Sequence, residues 1–150
     1  MDQKIINNLN IIKSEIESKK KKVNIVAVSK TFPLNTITPL INNGHVHYGE
    51  NKVQEAVEKW SSLKSDFKDI KLHLIGKLQT NKVKFVLPLF DYIHSLDSMK
   101  LAEKISLEQI HKKIASIGHD TKLEIAPDEA YNNLYMCCKY RDEEVVKNHQ

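Results

Sequence analysis

The hydrophobic residues of this chain follow two spacings, one typical of helices and one typical of buried strands. Near the N-terminus, Ile5, Ile6, Leu9, Ile12 and Ile16 recur every three to four positions, which predicts an amphipathic helix over 7–20. Short, mostly uncharged runs rich in β-branched residues then alternate with further helical stripes. The pattern predicts strands at 23–29, 45–49, 71–76 and 91–95, and helices at 34–42, 52–64, 83–89 and 99–110.

This alternation of strand and helix predicts the fold class. Successive strands separated by helices indicate an α/β protein with a parallel sheet and right-handed crossovers. Beyond residue 110 the pattern weakens. The segment 122–126 is expected to form a fifth strand, and Pro127 to open a last helix that runs towards Asn148.

Lys30 lies where the first predicted strand leaves the core. Residues 25–29 are uncharged and read as a strand buried on both faces, and Pro33 prevents the strand from continuing. A lysine at this point either extends into solvent or is held in a cleft as a reactive amine. Ligands of α/β proteins collect at the carboxyl ends of the strands. If the sheet curls into a barrel, desolvation at its mouth would free the lone pair of the amine for attack on an aldehyde.

Three further positions near strand ends are candidates for ligand contact. Asn51 follows the second strand, where it either hydrogen-bonds a ligand or caps the next helix. Gly76 ends the third strand and leaves room for a ligand or a tight turn. His73 is either a ligand contact or a satisfied core or surface histidine. The remaining strand histidines show no metal-ligand spacing, so no metal site is expected; they are His45, His47 and His94.

Composition narrows the class of protein. The 150 residues are 41% hydrophobic and 28% charged, which is typical of a soluble globular domain. A net charge of +4 permits an anionic ligand but falls short of a nucleic-acid binder, and the run 19–22 of four lysines reads as a solvated helix end. No apolar run suits a membrane span, and because no apolar signal segment follows Met1, secretion is not expected. The adjacent Cys137 and Cys138 argue against a disulfide framework, so a cytoplasmic location is expected.

Four motifs occur in order at the predicted strand ends. They are Ala27-Val-Ser-Lys-Thr31; Tyr48-Gly-Glu-Asn51 with Val53-Gln-Glu55; His73-Leu-Ile-Gly76 with Leu78-Gln-Thr-Asn-Lys82; and His94-Ser-Leu-Asp97 with Lys100-Leu-Ala102. Together they resemble the YggS/PROSC family of pyridoxal phosphate homeostasis proteins, whose fold is similar to the N-terminal domain of alanine racemase. The resemblance covers roughly residues 5–108.

The resemblance implies a fold, a cofactor and a role. The expected fold is a partial (β/α)8 TIM-type barrel with about four to five β-α units. The cofactor would be pyridoxal 5′-phosphate, held as a Schiff base on Lys30, with Asn51, His73 and Gly76 around it. Members of the family hold or deliver this cofactor without an established turnover. Apo forms of pyridoxal-phosphate enzymes are therefore expected partners, and the chain is expected to be a monomer or to self-associate weakly.

The chain also departs from the family's pattern. A full barrel of this type takes about 200–250 residues, and the family's glycine- and serine-rich phosphate cup, with its arginine, has no counterpart. Residues 1–110 are expected to be the N-terminal half of the barrel and 111–150 a divergent tail, in a truncated, frameshifted or fused product. Two alternative functions stay open: a fragment that does not bind the cofactor, and a racemase-like enzyme, which would need a second acid–base residue.

Overall fold

The computed structural model describes residues 2–134, 139 and 141 of the chain. Two compact units divide after Ser98, at the start of the last long helix. The sequence boundary at residue 110, which separates a barrel half from a divergent tail, stays a prediction about ancestry.

The first unit contains four parallel strands that alternate with helices, as the sequence predicts. The strands are β1 Ala27–Val28, β2 His47–Glu50, β3 Lys71–Leu74 and β4 Tyr92–Ile93. The helices are α1 Asp2–Ser18, α2 Leu34–Asn42, α3 Val53–Asp66 and α4 Val83–Val86, the last preceded by a 3-10 turn over Thr80–Lys82. The predicted bounds of α2 are confirmed, with Pro33 before the helix and Gly44, at φ +78°, just beyond its end.

The strands form one open sheet in the order β1-β2-β3-β4. All three pairings are parallel. The paired residues nearest the carboxyl ends are Val28 with Gly49, Glu50 with Leu74, and Leu74 with Ile93. The predicted α/β class with successive parallel strands is therefore confirmed, as an open part of a (β/α)8 arrangement.

The core of the first unit lies on one face of this sheet. Side chains alternate along a strand, so Tyr48 and Glu50 of β2 share a face with Leu72 and Leu74 of β3. All four are fully buried. Trp60 of α3 packs on this face, its ring centroid 5.0 Å from that of Tyr48. The sheet and its helices therefore enclose the core between them.

The opposite face of β1 differs from the sequence expectation. The uncharged run 25–29 predicted a strand buried on both faces, but Val28 is 49% exposed, and the paired part of the strand is only Ala27–Val28. Burial on both faces requires a layer on each side. The Val28 side of β1 has no such covering layer, so that prediction was wrong for the Val28 side.

The second unit begins with α5, Met99–Ser116, and also contains the short α6, Asp128–Asn132. Helix α5 extends six residues beyond its predicted end at residue 110. Leu101 of this helix is buried, whereas Ile110 is 55% exposed. None of the helices in the described part of the chain is long and apolar enough to cross a membrane.

The predicted fifth strand at 122–126 is absent from the described structure. The Thr121 hydroxyl accepts the N–H groups of Leu123 at 3.3 Å and Glu124 at 3.0 Å, and the Thr121 N–H donates to the Glu124 carbonyl at 2.8 Å. These local bonds bend the segment and use the groups a ladder would need. The predicted strand was therefore wrong, and a turn takes its place.

The last predicted helix starts where expected but ends early. Helix α6 opens after Pro127 and closes at Asn132. Most of its predicted continuation to Asn148 lies outside the described residues, as do Cys137 and Cys138.

Replacing Leu72 tests the one-sided core. Leu72 is fully buried between sheet and helices, so Leu72→Ala should lower the free energy of unfolding by about 2–5 kcal/mol. Ile11, which is 58% exposed on α1, is the matched control, and Ile11→Ala should change it by about 0.5 kcal/mol or less. Urea titrations of both variants measure the difference, and equal effects would contradict the assigned core.

Candidate functional site

The chain leaves β1 through a turn that is fixed at its first residue, Ser29. The Ser29 N–H donates to the Gly49 carbonyl at 3.0 Å, and the Ser29 carbonyl accepts the N–H of Phe32 at 3.0 Å. Ser29 is 1% exposed and faces the helices. Lys30 is the next residue and its side chain is exposed. The turn therefore places Lys30 just beyond the carboxyl end of β1.

Asn51 and Gly76 meet at the same edge. A Cβ atom on Gly76 would lie 2.1 Å from the carbonyl oxygen of Asn51 and 2.7 Å from its Cα, so only glycine allows this backbone approach. The N-cap of α3 is Lys52, with no side-chain cap hydrogen bond. Asn51 is therefore not the N-cap residue of α3.

Parallel register brings these three positions together. Lys30, Asn51 and Gly76 each follow the end of one of three neighbouring strands, β1, β2 and β3. The carboxyl ends of parallel strands meet at one edge, which is where ligands bind in α/β folds. The dry surroundings expected for Lys30 at a barrel mouth are not found, because the open sheet leaves its side chain exposed.

A buried acidic cluster lies directly below this edge, on the helix side of the sheet. One oxygen of Glu50, Oε1, accepts hydrogen bonds from Ser29 Oγ at 2.8 Å, Lys59 Nζ at 2.9 Å and Trp60 Nε1 at 2.9 Å. Lys59 Nζ also donates to the Ser29 carbonyl at 2.8 Å. We call Glu50, Lys59, Trp60 and Ser29 the Glu50 cluster. It joins the ends of β1 and β2 to α3.

The Glu50 cluster is an expensive arrangement for a core. Glu50 is completely buried, with 0% of its surface accessible, and the side chain of Lys59 is 13% exposed. The second carboxylate oxygen, Oε2, is buried and has no hydrogen-bond partner among the described residues. Desolvating two charges costs several kcal/mol each, about as much as their attraction returns. The ion pair therefore adds little net stability, and what it provides beyond apolar packing is the three directed hydrogen bonds to Oε1.

The other face of the sheet carries a row of histidines. His73 of β3 is 7% exposed, and its Nε2 lies 2.9 Å from Nδ1 of His47 on β2. Its Nδ1 lies 2.9 Å from Nε2 of His94, which follows β4. The ring of His73 stacks on Tyr92 with centroids 4.4 Å apart. Both nitrogens of His73 are engaged, which is the arrangement of a satisfied core histidine.

The two hydrogen bonds between the rings limit how much positive charge the histidine row can carry. Each of its two hydrogen bonds needs one N–H and one bare nitrogen, and only the outer nitrogens of His47 and His94 can each add a further hydrogen. The three rings can therefore hold no more than one positive charge while both bonds persist. Burial, and then the neighbouring His47 and His94, lower the pKa of His73, while Asp91 raises it.

Arg141, the only arginine of the chain, is held within the second unit. Its Nε donates to Asp120 Oδ2 at 2.8 Å and its NH1 to Asp128 Oδ1 at 3.2 Å. A further nitrogen, NH2, donates to the Ala126 carbonyl at 2.9 Å, and the guanidinium lies 4.3 Å from the ring centroid of Tyr131. These partners occupy the guanidinium, and no group of metal-binding residues is found in the described part of the chain.

Sequence reasoning placed the edge residues but missed both polar clusters behind them. Glu50 occupies a core-facing position of β2, between Tyr48 and the helix α3. An acid where alternation requires an apolar residue is a signal that could have been read. The pairing of His47 and His94 with His73 depends on strand register and carries no local signal.

The chain is similar in sequence and in fold to proteins that are already known. The chain is 34% identical over 137 residues to a pyridoxal phosphate homeostasis protein of Haemophilus influenzae, covering 87% of this chain and 57% of the relative. It is 37% identical over 112 residues to the protein of that name from Aquifex aeolicus, covering 69% and 48%. The structure of PipY from Synechococcus elongatus PCC7942 with PLP bound matches at 37% identity and TM-score 0.59, covering 67% of this chain and 47% of PipY. No protein-family model matches.

The fold is that of an α/β protein whose parallel strands end together at one edge, which is where ligands bind in folds of this class. The comparisons then identify the family: the chain belongs to the pyridoxal phosphate homeostasis proteins. It spans about half the length of the curated relatives it matches.

Replacing Gly76 tests the close approach at the edge. A methyl group would meet the backbone of Asn51, which cannot move independently, so Gly76→Ala should destabilise the chain by about 2 kcal/mol or more. Gly49→Ala is the matched control. Its new Cβ would meet the movable side chains of Val26 at 3.2 Å and Ile75 at 3.3 Å and should cost less. Thermal and urea unfolding compare the two, and a larger loss for Gly49→Ala would refute the assigned approach.

The histidine row predicts a pH dependence of stability. Because the folded state lowers the pKa of His73 below its ordinary value of 6.5, the unfolded chain binds more protons. Its contribution to stability is complete above about pH 6.5 and is lost as the pH falls through the folded pKa. The free energy of unfolding should therefore decline as the pH is lowered from about 7.5 to about 5.5. His45, whose pKa burial also lowers, acts in the same direction.

A substitution separates the two histidines. In His73→Gln the decline should be shallower than in the unaltered chain, with the remaining slope assigned to His45. The measurement is a series of urea titrations across this pH range. An unchanged slope in His73→Gln would show that the row does not control the pH response.

Proposed function

We propose that this chain takes part in pyridoxal 5′-phosphate homeostasis by binding the cofactor reversibly, as a Schiff base on Lys30. The proposal is supported by the order of the strands, because Lys30, Asn51 and Gly76 each follow the carboxyl end of one of three neighbouring parallel strands. The names of the relatives and the PLP-bound structure of PipY support the choice of cofactor. We propose binding of the cofactor alone, without catalytic turnover of a substrate.

The residues at the edge fit the aldehyde end of the cofactor. When bound, pyridoxal 5′-phosphate would supply an aldehyde that can condense with an amine and release water. Lys30 would hold the cofactor through its amine, and Asn51, which follows the neighbouring strand β2, would offer its amide as a hydrogen-bonding group. Both nitrogens of His73 bond to neighbouring histidines, so His73 would contact the cofactor through its ring and not through a hydrogen bond.

The phosphate end of the cofactor has weaker support. The sequence contains four glycines and no glycine-rich phosphate loop, and the guanidinium of Arg141 is engaged by two aspartates. Phosphate contacts are a main source of noncovalent affinity for a doubly charged group. We therefore propose weak, reversible binding, with apo forms of pyridoxal-phosphate enzymes in the cytoplasm as the acceptors.

Absorbance measures the proposed attachment. Adding pyridoxal 5′-phosphate to the purified chain should produce a visible Schiff-base band that Lys30→Ala abolishes. Lys52→Ala is the matched control, since Lys52 is also exposed and near the edge but forms an ion pair with Glu55. It should keep the band. A band that persists in Lys30→Ala, or that is absent from the unaltered chain, would overturn the proposed function.

A further inference from the structure

We propose that Glu50 and Lys59 are positioning residues that fix the turn bearing Lys30 and so direct its amine towards an aldehyde ligand. The inference rests on the proposed function and concerns how the chain selects one lysine among many. Neither residue reaches the edge itself, since Glu50 is fully buried and Lys59 nearly so. Both act through Ser29, which precedes Lys30.

Every polar atom of Ser29 is bonded. Its N–H donates to the Gly49 carbonyl at 3.0 Å, and its Oγ donates to Glu50 Oε1 at 2.8 Å. Its carbonyl accepts from Phe32 N at 3.0 Å and from Lys59 Nζ at 2.8 Å. The residue before Lys30 is thus tied to β2, to α3 and across its own turn. These bonds set the direction in which the chain leaves the strand.

The chemistry of the cluster favours positioning over stability. An apolar pair of similar volume would attach α3 to the sheet at lower desolvation cost than the buried pair of Glu50 and Lys59. An apolar pair, however, makes no directed bond to Ser29. Because reaction rates depend steeply on the approach of the reacting atoms, a displacement of about 1 Å can change a rate up to 100-fold. The cluster supplies the direction that a packed core alone does not fix.

The cluster has a specific reach along the chain. It contacts the backbone next to Lys30 and makes no bond to the exposed pair of Lys52 and Glu55 at the start of α3. Loosening it should slow the reaction of Lys30 while other exposed lysines react as before. A general loss of structure would change many lysines together.

The test compares variants by borohydride trapping. The folded chain is incubated with pyridoxal 5′-phosphate, reduced at timed intervals, and digested so that mass spectrometry measures the labelled fraction of each lysine. The variants are Lys59→Met, Lys59→Arg, and the double variant Glu50→Gln/Lys59→Met, which removes both buried charges and so avoids a lone charge in the core. Lys52→Met is the control.

In Lys59→Met and in the double variant, the labelling rate of Lys30 should fall about tenfold or more while other lysines keep their rates. Lys59→Arg, which retains a cationic donor, should recover most of the rate, and Lys52→Met should match the unaltered chain. If Lys30 keeps its rate in the folded double variant, the positioning role is refuted.

A second readout needs no cofactor. The amide of Phe32 bonds to the Ser29 carbonyl, so loss of the Lys59 bond should accelerate hydrogen exchange at Phe32 about tenfold, with little change in Lys52→Met. If the unaltered chain does not label Lys30 selectively, the proposed function fails, and Phe32 exchange alone then decides whether the cluster fixes the turn. Unchanged exchange in Lys59→Met would refute that as well.

Discussion

The strand-end geometry of this chain depends on one buried carboxylate oxygen. Oε1 of Glu50 accepts hydrogen bonds from Ser29, Lys59 and Trp60, and so binds the end of β1 and the face of α3 to β2. Parallel strands have no hairpin turn to fix the relation of their ends, and β1 contributes only two paired residues. A polar cluster with directed bonds supplies what the short ladder lacks. The cluster therefore fixes Ser29, the residue before Lys30.

The two faces of the sheet have separate tasks. The helix-covered face holds the apolar core, with the Glu50 cluster at the carboxyl ends of β1 and β2. The other face carries the row of His47, His73 and His94 across three strands. A face lined by imidazoles linked in series accepts at most one proton without losing a bond.

Much of the fold could be predicted from sequence because local signals were strong. The helix α2 has Pro33 before it and Gly44 after it, and the period-two and three-to-four patterns separated strands from helices. The segment 122–126 failed for a physical reason. Its β-branched and apolar residues suit a strand, but Thr121 closes a local turn that uses the backbone groups first.

The candidate site was predictable only in part. Lys30, Asn51 and Gly76 could be assigned to one edge because the carboxyl ends of parallel strands always meet. The exposure of Lys30 could not, since it depends on how many strands the sheet contains. The Glu50 cluster and the histidine row join residues about 10–30 positions apart, and such contacts are set by register rather than by local pattern.

We propose the Lys30 amine as the attachment point for pyridoxal 5′-phosphate in this chain. A crystal structure of the chain grown with the cofactor would locate this attachment. We expect continuous density between Lys30 Nζ and the aldehyde carbon, with the ring beside Asn51 and Gly76. Density joined to another lysine, or cofactor lying away from this edge, would contradict it.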